Sequence, residues 1–118
     1  MSHFISLREA KILIGRYDSE KGQILKNEYA EVNVLPISEK FERAAFDTLL
    51  AKEGCAGLRF YFGMLADLRV TLIAVAIDEK GNDILAVRTG EIDQDTVLDD
   101  IVEKGQSCPP FCHPSELL

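Results

Sequence analysis

The chain contains no tryptophan and only two histidines, three cysteines and four prolines in 118 residues. An odd count of three cysteines does not make the closed disulfide framework of a small secreted domain. Positive charge is also scarce. Thirteen Lys and Arg stand against twenty Asp and Glu, for a net charge of −7. Phosphate recognition needs clustered Lys and Arg, so nucleic acid is disfavoured as a partner. Anionic membrane surfaces are disfavoured for the same reason. No apolar run approaches the ~20 residues of a membrane-spanning helix. The longest, from Val70 to Ile77, is of strand length and interrupted by Thr71. The opening Met-Ser-His-Phe-Ile-Ser has no charged segment leading into an apolar one, so no signal peptide is expected. The expected location is the cytoplasm. Gly-rich phosphate loops, HExxH, GxSxG and CxxC are all missing, which points away from an enzyme.

With 47% apolar residues the chain has the material for one domain with a real core. Ser6-Leu7-Arg8-Glu9 reads as a capping box opening a first helix, with Leu7, Ala10, Ile14 and Tyr17 on one stripe and Leu13 beside them. Residues 18–22 read as a turn and 23–29 as a short second helix. Residues 32–35 read as extended, ended by Pro36. A stronger helix is expected from Ser38, with Phe41, Ala44, Ala45, Thr48 and Leu49 at helical spacing and Gly54 as its stop. The pattern then changes to period two. Leu58, Phe60, Phe62 and Met64 alternate with Arg59, Tyr61 and Gly63, predicting a strand over 57–64 with a wetter face at Arg59 and Tyr61. Residues 69–78, apolar on both faces, predict a central strand. After a turn at 79–82, residues 83–88 predict a third strand. Asp93 or Asp95 is expected to cap a last helix, with Val97, Leu98, Ile101 and Val102 buried and Gly105 at its end. The expected fold class is α+β. An antiparallel meander of three or four strands would carry two to four helices on one face. The domain is expected to cover 1–106 and a Pro- and Cys-rich tail 107–118.

That tail, Cys108-Pro109-Pro110-Phe111-Cys112-His113-Pro114, holds two of the three cysteines, one of the two histidines and three of the four prolines. A fully extended path would hold the cysteine Cα atoms roughly 12 Å apart, from steps of ~3.1 Å. A disulfide needs about 4.4–6.8 Å, so the chain must turn for a bridge to close. A turn around Pro110, or a cis Pro110, would do it. Three readings stay open. In the first, a rigid tail docks Phe111 on the domain, with the cysteines as small apolar groups or an incidental disulfide. In the second, Cys108, Cys112 and His113 bind zinc, with a fourth ligand from Cys55, His3 or another chain. In the third, Cys108 and Cys112 are a reversible redox pair, although the end of a preceding helix would disfavour a reactive thiolate.

Arg59, Tyr61 and Arg69 are expected on one face of neighbouring strands, with Arg88 able to join them. Arg and Tyr are typical of binding hot spots. The acidic cluster Asp93, Asp95, Asp99, Asp100 and Glu103 reads as a helix start and its solvated face. The turn from Asp78 to Asp83 superficially resembles a calcium loop, but Lys80 stands at a ligand place and the bidentate Glu is missing. Cys55 reads as a small buried residue and His3 as solvated.

Leu35-Pro36-Ile37-Ser38, Gly54-Cys55-Ala56-Gly57-Leu58-Arg59 and the Cys-Pro-Pro-aromatic-Cys ending, together with the capped first helix, resemble features of a group of small bacterial proteins. The likeness covers most of the chain. It brings no established activity and assigns no catalytic residue. The functional expectation is therefore a non-enzymatic binding or adaptor domain with no cofactor. It would contact a protein partner through its exposed sheet face and its tail, at Arg59, Tyr61, Arg69 and Phe111. The alternative is a metal or thiol-redox module on Cys108 and Cys112. An exposed strand edge or the Phe41–Phe46 helix would suit a homodimer.

Overall fold

The computed structural model describes residues 3–30, 32–85 and 95–118. The N-cap half of the expected box forms: the Ser6 hydroxyl accepts the Glu9 amide at 3.1 Å and opens helix α1, Leu7–Glu20, while no return bond to the Glu9 carboxylate is found among the described residues. The helix continues through the expected turn at 18–22. A 3-10 turn, Lys21–Gln23, follows, and no second helix forms over 23–29. Residues 32–35 bend rather than extend, with the Val34 amide donating to the Val32 carbonyl at 2.8 Å.

The helix expected from Ser38 begins later. Ser38–Lys40 is strand β1, and helix α2 spans Arg43–Leu50 with Glu42 as its N-cap. The apolar positions from Phe41 to Leu49 fit a helix. The three residues before them are taken by a partner the periodicity cannot show. Ser38, Glu39 and Lys40 pair antiparallel with Cys108, Ser107 and Gln106 of strand β5, Gln106–Cys108.

Strand β2 (Gly57–Met64) is the one the alternation predicts, and β3 (Val70–Ile77) is the doubly apolar strand expected over 69–78, one residue shorter at each end; they pair antiparallel from Gly57↔Ile77 to Met64↔Val70. The third strand of the meander is different. Among the described part of 83–88, Asp83 makes an isolated bridge to Ile77 and the Ile84 amide reaches the Ala76 carbonyl at 2.9 Å; 86–88 lie outside the described residues. β4, Ile101–Val102, completes the order β2-β3-β4. The expected terminal helix is thus corrected: residues 95–100 turn, and Ile101 and Val102 pair with Val75 and Ala74. Short apolar runs fit either period, and here β-branched residues meet an open side of β3. Gly105 is not a helix stop. A Cβ there would stand 2.7 Å from the Glu39 side chain and 2.9 Å from the Lys40 carbonyl, so only glycine lets the β4–β5 link pass β1 this closely. Asp100, expected on a solvated helix face, is 4% exposed.

The α+β class holds, with α2 lying on one face of the antiparallel sheet. The core is small. Leu49, Ala74 and Ala76 are wholly buried, and Phe46, Cys55, Leu58, Ile84 and Val102 pack around them. Leu58 stands opposite Ala76, so this core lies beneath α2 on the face of the sheet that carries the even-numbered residues of β2 and β3. Helix α1 buries no residue. It is tied to the loop before β1 by the Tyr17 hydroxyl donating to the Pro36 carbonyl at 2.7 Å and the Lys21 ammonium donating to the Leu35 carbonyl at 2.9 Å. Burial, with help from Asp18, pushes the Tyr17 phenol above its ordinary 10.0. No described helix is long and apolar enough to cross a membrane.

Candidate functional site

Backbone pairing sets the tail in place. Cys108 is the last residue of β5, opposite Ser38, and its carbonyl accepts the Ile37 amide at 2.8 Å. The strand straddles the expected boundary between domain and tail. Beyond it the chain reverses. The bonds Cys108–Pro109 and Pro109–Pro110 are both cis, the Cys108 and Cys112 Cα atoms stand 4.7 Å apart, and their sulfurs are joined in a disulfide. The Phe111 amide donates to the Ser107 carbonyl at 2.9 Å, and the Ser107 hydroxyl to the Pro109 carbonyl at 3.2 Å. One end of the bridge is buried at Cys108 and the other is exposed at Cys112. Phe111 is 59% exposed, so its ring is not sunk into the domain. Phe111, Cys112 and His113 border a shallow recess of about 670 Å³ whose other wall is Ser38, Glu39, Lys40 and Gln106.

Behind the same ribbon lies a smaller cavity of about 310 Å³, lined by Glu39, Thr71, Glu103, Arg69, Lys104 and Ser107 among others. The Thr71 hydroxyl, 6% exposed as a residue, has one proton to give and lies 2.9 Å from one Glu39 oxygen and 3.0 Å from Glu103. Glu39 also accepts the Leu72 amide at 2.9 Å. This carboxylate thereby stands in for a strand partner and ties β1 to β3. Sequence reasoning passed over Glu39. The available signal was Thr71, a polar residue inside an otherwise apolar strand, which needs a buried partner.

The sheet residues divide into two groups. Arg59 and Tyr61, two apart on β2, converge on Asp83: one carboxylate oxygen accepts the Arg59 guanidinium and the other the Tyr61 hydroxyl. The Asp83 hydrogen bond, then that of Tyr61, raises the Arg59 pKa above its ordinary value, which keeps the guanidinium charged. Arg69 does not join them. It sits at the far end of the hairpin, where its guanidinium meets Asp67 at 2.9 Å, and it lines the cavity beside β5. Arg88 and Asp93 lie outside the described residues.

The turn after β3 is built by Asp78, which accepts the Lys80 and Asn82 amides, each at 2.9 Å, with Gly81 at φ +83°. Cys55 is the free cysteine. It is half-buried against the core, with its thiol donating to the Gly57 carbonyl at 3.3 Å. His3 is exposed. Among the described residues no group of three or more His, Cys, Asp or Glu is arranged to hold a metal ion. No protein-family model, curated protein or solved structure matches the chain.

Proposed function

We propose that this protein is a small non-enzymatic binding domain of the cytoplasm that captures a protein partner through the closed loop from Cys108 to His113. The supporting observation is Phe111. Its ring stands 59% exposed at the tip of a loop held by the β1–β5 pairing, the disulfide and the Phe111–Ser107 hydrogen bond. An aromatic anchor fixed in advance loses little entropy on docking. The charge of −7 suits a basic protein surface rather than nucleic acid or membrane. Arg69, on the cavity side of the same ribbon, is a second contact on this reading, and Arg59 with Tyr61 a separate one across the sheet. Kinship with the bacterial group that shares the Cys-Pro-Pro-aromatic-Cys ending is likewise a proposal. It rests on the three motifs alone.

The test is capture from the native lysate by wild-type protein and by Phe111→Ala, with recovered proteins identified by mass spectrometry. Phe111 is exposed, so its loss should spare the fold and remove the partner. Identical recovery by both would sink the reading. Deletion of 107–118 is the poorer test, because it removes most of β5 along with the anchor.

The bridge itself favours a second reading, a thiol-redox module. In a reducing cytoplasm a disulfide is transient or regulatory rather than structural. A thiol reductant would deliver two electrons and two protons across the sulfur–sulfur bond, freeing both thiols. Only then would Cys108, Cys112 and His113 offer donors to zinc. Intact mass before and after alkylation, with and without reductant, and elemental analysis of chelator-free protein separate the readings. Three thiols alkylated without reductant and no metal would eliminate both the redox module and the zinc site.

A further inference from the structure

Bonded and non-bonded pairs alternate along an antiparallel ladder. The Leu65 amide donates to the Arg69 carbonyl at 2.9 Å, so the odd-numbered residues of β2 direct their backbone groups at β3. The amides and carbonyls of Leu58, Phe60, Phe62 and Met64 therefore face away from it, and no described residue takes them. The side chains at this edge are also uncovered: Phe62 is 82% exposed, Met64 64%, Phe60 45% and Tyr61 43%. Exposed edge strands are ordinarily protected by lysine, proline, a bulge or brevity. β2 has eight residues, a single charge at Arg59 and none of the other devices in its interior.

We propose that this edge is the interface with a second copy of the chain, β2 pairing antiparallel with β2 about a two-fold axis at Tyr61. That register sets Phe60 opposite Phe62 of the second copy, Leu58 opposite Met64 and Tyr61 opposite Tyr61. All four outward-facing residues then find partners, giving about eight new backbone hydrogen bonds.

Three features point to a copy of the same chain rather than to another strand. Helix α2 covers only the Leu58–Phe60 end of the even-numbered face, with Phe46 edge-on to Phe60 at 6.0 Å, and leaves the Phe62–Met64 end bare. Antiparallel two-fold pairing places the bare end of each chain beside the helix-covered end of the other. The one charge, Arg59, falls opposite Gly63, which has no side chain, so like charges do not meet across the axis. At ~200 Å² for a large side chain, the exposed fractions of these four residues sum to about 450 Å² per chain. With backbone, that makes at most about 1,000 Å² in all, the lower end of a specific interface. A contact of that size is expected to give a weak, concentration-dependent dimer. The proposal goes beyond the binding reading of the tail and does not depend on it, since Phe111 sits on the loop beyond the β1–β5 pair, away from β2.

The test is sedimentation equilibrium of the full chain, bridge intact, from about 1 µM to 1 mM, where a micromolar Kd falls in range. Phe62→Lys should weaken association at least about 100-fold through lost apolar burial in both copies. Phe62→Pro should weaken it too, because only an outward-facing amide is lost and the β2–β3 ladder stays. Circular dichroism checks that both variants are folded. In a Cys55→Ser background, Tyr61→Cys should form a 61–61 disulfide on treatment with diamide, since facing residues in a non-bonded pair lie about 4.5 Å apart at Cα. Phe60→Cys should not. Monomer at every concentration, dimers indifferent to both Phe62 variants, or cross-linking through position 60 instead of 61 would each overturn the proposal.

Discussion

The two sides of the sheet make opposite use of the same chemistry. On the far side of β3, the even-numbered backbone groups meet four different partners in succession. Val70 donates to the Val34 carbonyl, Leu72 to the Glu39 carboxylate, Ala74 pairs with Val102, and the Ala76 carbonyl accepts the Ile84 amide. Pieces from four separate parts of the chain seal one edge. Along β2 the equivalent groups of Leu58, Phe60, Phe62 and Met64 have no described partner, and the side chains of Phe60, Tyr61, Phe62 and Met64 are exposed. On the proposal above, the sealed side would serve the stability of the domain and the open side its association. Substitutions on the two sides should therefore separate cleanly into unfolding effects and assembly effects.

The largest effect expected is in the core beneath α2, against β3. Leu49 is the one large side chain found fully buried among the described residues, lying over Ala74 and Ala76. Leu49→Ala should cost about 3 kcal/mol in urea unfolding, from lost transfer and the cavity left behind. Next comes the bridge. Cys108 and Cys112 are four apart in sequence, so the loop is short. Reduction, or Cys112→Ser, should cost at most about 2 kcal/mol by the loop-entropy relation, read as a lower Tm in reductant. Glu39→Ala should cost about 1.5 kcal/mol, because the Leu72 amide is left without its acceptor. Glu39→Gln should recover most of that, since the amide oxygen still accepts. If Glu39→Ala leaves the urea midpoint unmoved, the carboxylate is not sealing β3.

The smallest effect lies at the turn joining the two strands. The Arg69 amide, and after it the Arg69 guanidinium, hold Asp67 below its ordinary 3.8 against the opposing pull of desolvation. A depressed folded-state pKa means its contribution is present above the unfolded value and is lost as the pH falls through the folded one. An NMR titration of the Asp67 carboxyl should find its midpoint below 3.8. In Arg69→Ala the midpoint should rise toward the ordinary value, because the backbone donor remains but the guanidinium is gone.

Much of this was legible in the residues. The Ser6 N-cap and the two long strands follow from local signals, and each formed close to where it was read. What failed was whatever a distant segment decides. Ser38–Lys40 looked like the first turn of a helix because nothing nearby shows that Gln106–Cys108 will lie beside it. Ile101 and Val102 fitted a helical stripe equally well, and only the open side of β3 selects the extended form. At the site, the clustering of Cys108 and Cys112 was visible and so was the need for a turn between them. That Arg69 would part from Arg59 and Tyr61 was not, since Asp67 and Asp83 capture them at opposite ends of the hairpin. Alternation on β2 marks its apolar face. It is silent on whether α2 is long enough to cover that face.

Residue-resolved hydrogen exchange tests the contrast between the edges most directly. In dilute protein the amides of Leu58, Phe60, Phe62 and Met64 should exchange quickly. Those of Arg59, Tyr61 and Gly63 should be protected, as should those of β3 from Val70 to Ala76. At millimolar concentration the four fast amides should become protected together. Uniform protection along β2 in the dilute protein, or fast exchange at those four positions whatever the concentration, would contradict the account.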